Sequence, residues 1–91
     1  MNMHSMTLEQ LRATHETGGL AAVTLEAHGK GFYLVADSRS GGRVVLVRYS
    51  DRKPRLFVEP GTALKLLREI GFGTAKVNMA GWQPDQQQAD V

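Results

Sequence analysis

The chain has 91 residues, 42% of them hydrophobic, with 11 lysines and arginines against 9 aspartates and glutamates and a net charge of +2. One small domain of this length buries about 60–65% of its unfolded surface, which leaves little room for an internal cofactor or a deep substrate pocket. There is no cysteine, so disulfides and cysteine nucleophiles are excluded, and no apolar run approaches the roughly 20 residues of a membrane-spanning helix.

Residues 1–6 read as a flexible leader; they lack the cationic start and apolar centre of a signal peptide, and a cytoplasmic protein is the expectation. Thr7-Leu8-Glu9-Gln10 is a capping box that opens a helix, because the threonine oxygen can accept from the Gln10 N–H while the glutamine reaches back. Met6 and Leu11 fall at staple positions, and Gly18-Gly19 end the helix. Val23, Leu25 and Ala27 then alternate with Thr24, Glu26 and His28, the pattern of a strand with one wet face. His28-Gly29-Lys30-Gly31 is a tight turn, and Phe32 to Ala36 is the returning strand.

Ser38 to Gly42 forms the next turn and Arg43 to Tyr49 the next strand. A polar turn over Ser50 to Pro54 leads to a short strand over Arg55 to Val58. Pro60 suits the first position of a second helix, where its missing N–H costs nothing. Ala63, Leu66, Leu67 and Ile70 make its 3.6-period stripe, and Gly71 stops it with Phe72 folding back. Lys76 to Met79 reads as a last strand and Trp82 as a final anchor. Residues 83–91 read as a disordered tail.

The expected architecture is thus an α+β domain over residues 7–82, in the order α-β-β-β-β-α-β. It places two helices on one face of an antiparallel sheet of three to five strands. The middle strands are apolar on both sides, with Tyr33 and Val35 opposite Phe32, Leu34 and Ala36, and Val45 and Val47 opposite Val44 and Leu46. Two helices cover only one face, so the other needs a cover. A second copy of the chain, a partner protein or the C-terminal segment with Trp82 would supply it. Tyr33, Val35, Val45, Val47 and Trp82 are therefore candidate interface residues.

The stretch 39–55 holds Arg39, Arg43, Arg48, Arg52, Lys53 and Arg55 against the single acid Asp51. Such local basicity makes a candidate surface for an acidic partner, nucleic acid above all, with simply solvated strand and turn charges as the alternative. Arg43 and Arg48 are five apart on a strand and point to opposite faces, so the cations favour a basic hairpin tip over a flat platform. Tyr49 is the one aromatic among them, which gives stacking on single-stranded bases little support.

Other motifs carry less. Gly71 to Lys76 looks like a phosphate loop but follows a helix instead of opening one. His4, His15 and His28 lack ligand spacing for a metal. Ser38, Ser40 and Ser50 form no constellation with a histidine and a carboxylate, and no acids pair as in hydrolases. No catalytic residue, metal or cofactor is expected.

Several short motifs together resemble small plasmid-borne partition-associated proteins of the ParC type. They are Met6-Thr7-Leu8-Glu9-Gln10-Leu11-Arg12, Gly29-x-Gly31-Phe32, Arg39-Ser40-Gly41, Arg55-x-Phe57 and Ala63-Leu64-x-Leu66-Leu67-Arg68-Glu69-x-Gly71. The resemblance covers roughly residues 6–82 and implies a mobile-element accessory protein with no enzymatic role. Two functions follow as expectations: contact with DNA or a partition-type nucleoprotein complex through the basic hairpin, or a protein-binding module, either a homodimer or an inhibitor of a host protein such as a defence complex. No membrane partner and no small-molecule substrate are expected.

Overall fold

The computed structural model describes residues 3–84. Its elements are β1 (Met3–Met6), α1 (Leu8–Glu16), β2 (Leu20–His28), β3 (Gly31–Ser38), β4 (Arg43–Leu46), β5 (Leu56–Phe57), α2 (Pro60–Ile70) and β6 (Lys76–Asn78). The α+β class and the two helices match expectation, and the strand order does not. The sheet is mixed, with the order β1-β4-β3-β2-β6 and β5 also paired to β3.

The largest correction is at the N-terminus. Residues 3–6, expected as a leader, form β1, which runs parallel to β4 in the register Met3 to Arg43 through Met6 to Leu46. The other end of the sheet is also parallel, with β6 beside β2. Most of the segment expected as a disordered tail, from residue 85 on, lies outside the described residues.

Parallel neighbours explain the helices. Antiparallel pairing of β2 with β3 and of β3 with β4 makes β1, β2, β4, β5 and β6 all run one way. The chain therefore holds two crossovers, β1-α1-β2 and β5-α2-β6. Both pass from the β4 side of β3 to its β2 side. A crossover between parallel strands has one preferred hand, so two crossovers in the same direction put both helices on the same face. That face carries the core: Leu11 from α1, Val23, Leu25, Phe32, Leu34, Ala36, Val44, Leu46 and Phe57 from the strands, and Ala63, Leu67 and Ile70 from α2.

Local chemistry sets the helix ends as the sequence predicts. Gln10 N–H donates to Thr7 Oγ1 at 3.4 Å and Thr7 N–H to Gln10 Oε1 at 2.9 Å. Pro60 opens α2, and Gly71 closes it at φ 128°, a backbone region that a side chain resists. Phe72 folds back, its N–H donating to the Leu67 carbonyl at 3.0 Å, and its ring lies 4.2 Å from that of His15.

One edge of β3 is divided. Residues 35–37 pair with β4 and residues 32–33 with β5. At the start of β3 Gly31 lies against β5 so closely that a Cβ would sit 2.7 Å from the Phe57 carbonyl oxygen. Gly31→Ala should therefore cost about 1–3 kcal/mol, because backbone must move to admit it. Gly61→Ala, in open space on α2, should gain a few tenths to about 1 kcal/mol. Urea unfolding of the two variants measures both, and equal midpoints would refute the close approach.

Candidate functional site

The face of the sheet away from the helices was expected to need an outside cover. For Val35 and Val47 the chain supplies one itself. Arg43 on β4 donates from Nε to Asp37 Oδ1 at 3.2 Å and from Nη2 to Glu26 Oε2 at 3.1 Å. Asp37 lies opposite Arg43 on β3, while Glu26 lies on β2 opposite Tyr33. The guanidinium therefore crosses β3 over the position between Asp37 and Tyr33 on that face, which is Val35. Val35 is 4% exposed and Val47 3% exposed in the single chain. The hydrocarbon stem of an arginine covers apolar surface while its charge stays wet.

Trp82 is on the opposite side from the place proposed for it. Its ring is 5.2 Å from that of Phe32, a residue of the helix-side core, and its indole N–H donates to the Lys30 carbonyl at 3.3 Å. Tyr33 and Val45 are half-buried on the face away from the helices, where Tyr33 stacks on His28 at 5.2 Å.

The six candidate cations separate into groups. Arg39 is exposed in the turn after β3. Arg43 is spent on Glu26 and Asp37, and the Glu26 hydrogen bond is the first cause that raises its pKa, with the Asp37 bond adding to it. The other four lie on the hairpin that joins β4 to β5. Its root is tied by Val47 N–H to the Met6 carbonyl at 2.9 Å and Arg55 N–H to the Leu46 carbonyl at 3.0 Å, with Val47 bridged to Pro54.

Asp51 organises the tip. It accepts from Arg48 Nε at 3.1 Å and Nη2 at 2.6 Å, and from the Lys53 N–H at 3.1 Å. The Arg48 bonds, followed by the Lys53 N–H, hold the Asp51 carboxyl below its ordinary range. Arg52 sits at φ 61°, the only non-glycine residue with positive φ among those described. The left-handed region is costly for a side-chain-bearing residue, and here Arg52 N–H bonds the Arg48 carbonyl at 2.9 Å while Arg48 N–H bonds that of Lys53 at 2.9 Å. Arg55 lies over the Phe57 ring, 4.6 Å from its centroid.

Between this hairpin and the first turn of α1 is a cleft of about 810 Å³. Leu46 and Val47 are its buried apolar residues, Thr7, Leu8, Glu9 and Gln10 form one wall, and Arg48, Tyr49, Arg52 and Arg55 the other. The contribution of α1 is not legible in the sequence, because residues 7–10 meet the hairpin only through the pairing of β1 with β4. Tyr49 is 86% exposed, which a residue continuing a strand would not predict. Its one sequence signal is its place directly before Ser50-Asp51.

Among the described residues no group of three or more His, Asp or Glu side chains could hold a metal ion, and no helix is long and apolar enough to cross a membrane. Ser38 and Ser40 spend their hydroxyls on each other at 2.7 Å. No protein-family model matches this chain, and no curated protein or solved structure matches it.

Two tests follow from this geometry. Arg43→Ala should lower stability by roughly 1–2 kcal/mol, from a re-exposed valine and two carboxylates left without their cation; an unchanged urea midpoint would show that Arg43 covers nothing. For Asp51 the folded pKa is below the unfolded one, so its contribution is complete above the unfolded value and is lost as pH falls through the folded value. In a carbon-detected NMR titration Asp51 should have its midpoint below the ordinary value of about 3.9, and Arg48→Ala should move that midpoint up.

Proposed function

We propose that the chain is a non-enzymatic nucleic-acid-binding protein that grips phosphates with the hairpin of residues 47–55. One observation carries this reading. Arg43 and Arg48 are held in ion pairs, whereas Arg52, Lys53 and Arg55 form none with the described residues and share one hairpin. Cations without acid partners on one hairpin are the arrangement that phosphate contacts use. Arg52 adds weight, because a cation is kept at a backbone position that suits glycine, and strain of this kind collects at functional positions.

The resemblance to partition-associated proteins gives an expected setting, a nucleoprotein complex on a plasmid or other mobile element. The competing reading, a homodimer or an inhibitor of a host protein, was motivated by an apolar sheet face in want of a cover. Arg43 removes that motive for Val35, and no other observation favours it.

Three phosphate contacts predict a fall of log K with log salt of slope near −2.7 on duplex DNA or near −2.1 on a single strand. Arg52→Gly separates function from folding: it should leave stability unchanged or raise it by up to about 1 kcal/mol, while flattening the salt slope by one contact. Fluorescence anisotropy at several salt concentrations measures the slope and thermal melting the stability. Absence of binding at low salt, or an affinity indifferent to salt, would sink the proposal.

A further inference from the structure

The cleft beside the hairpin points to a narrower partner. Resting on the nucleic-acid reading above, we infer that this chain binds single-stranded nucleic acid, with an unpaired base stacked on Tyr49 inside the cleft and the flanking phosphates on Arg52, Lys53 and Arg55.

Shape argues for the single strand. Arg52, Arg55 and Tyr49 stand along one wall of a concavity whose other wall is the first turn of α1, and Lys53 follows Arg52 on the same hairpin just outside it. A duplex is a convex rod with its bases stacked inside, so it can touch the rim but cannot enter. A single strand can lay one nucleotide into the space, which at about 810 Å³ is within the size range of small-ligand sites.

Chemistry argues the same way. An aromatic ring 86% exposed beside three arginines is poorly used against a duplex backbone, which offers it only sugars and phosphates. Against an unpaired base it offers a π-face, and stacking of this kind is the common device of single-strand binders. Leu8 supplies apolar surface for the base, above a floor of buried Leu46 and Val47.

The acid in the cleft sets a direction. Glu9 lines the α1 wall and repels phosphate, so the backbone is confined to the hairpin side and the base faces α1. Gln10 is already committed through Oε1 to the Thr7 N–H, so the glutamine that lines the cleft is held in place by the helix cap.

The test uses the full chain with a fluorescein-labelled single-stranded DNA 15-mer and the same sequence as a duplex. Tyr49→Ala, Tyr49→Phe and Arg52→Gly are compared with the unaltered protein, each checked by thermal melting. Expected results are single-strand affinity at least tenfold above duplex affinity, an approximately 5- to 100-fold loss on the single strand for Tyr49→Ala, and a loss of less than about threefold for Tyr49→Phe, which keeps the ring. The duplex affinity of Tyr49→Ala should stay within about twofold. Equal affinity for the two forms, or a single-strand affinity indifferent to Tyr49→Ala, overturns the stacking inference while the Arg52→Gly effect leaves phosphate binding standing. Binding to neither form at low salt overturns both.

Discussion

One edge of β3 serves two strands, and the candidate site exists because of it. β4 occupies the edge opposite residues 35–37 and β5 the edge opposite 32–33. A chain that pairs with one edge, leaves it and returns to the same edge must put the intervening residues outside the sheet. Those residues are the hairpin. Its root is tied to the carbonyl groups of Met6 and Leu46, so it cannot swing freely, and the pairing of β1 with β4 delivers the first turn of α1 beside it. A cleft between two elements that are distant in sequence is the geometric result.

Charge is divided by the same framework. Six cations lie close together in sequence, but acids reach only some of them. Glu26 and Asp37 take Arg43 because three adjacent strands bring these residues onto one sheet face, and the pairing covers a valine. Asp51 takes Arg48 within the tip, and this pair shapes the loop. Both are partly exposed pairs (Arg43 with Glu26 has side chains 36% and 28% exposed), so their value is in covering surface and fixing backbone more than in Coulomb energy. What remains for an outside anion is Arg52, Lys53 and Arg55, together with exposed Arg39 in a different turn. The charge of the basic stretch left without an acid partner among the described residues is therefore smaller than its count of cations and more sharply placed.

Both helices, their caps and the β2–β3 hairpin are legible in the sequence. Thr7 with Gln10, Pro60, and Gly71 with Phe72 are decided by hydrogen bonds and backbone preferences within a few residues. The stripe Ala63, Leu67 and Ile70 and the alternation in β2 are equally local. β1 was not legible, because Met3-His4-Ser5-Met6 has no strand alternation and only the offered edge of β4 makes it a strand. The sequence suggests an antiparallel sheet for the same reason: parallel pairing of β1 and β6 leaves no turn signal between neighbours.

The sequence by itself determined which segments are helices and hairpins, where they stop, and that positive charge gathers between residues 39 and 55. Tertiary structure decided that both ends of the sheet are parallel, that Arg43 covers Val35, that Trp82 lies on the core face, and that Tyr49 and three arginines share a cleft with the start of α1. The physical reason is range. Caps, turns and periodicity act across a handful of neighbours and leave a mark in the local residue order. Ion pairs across β3, and a strand that borrows an edge some forty residues away, depend on who meets whom after folding, and no local pattern records that.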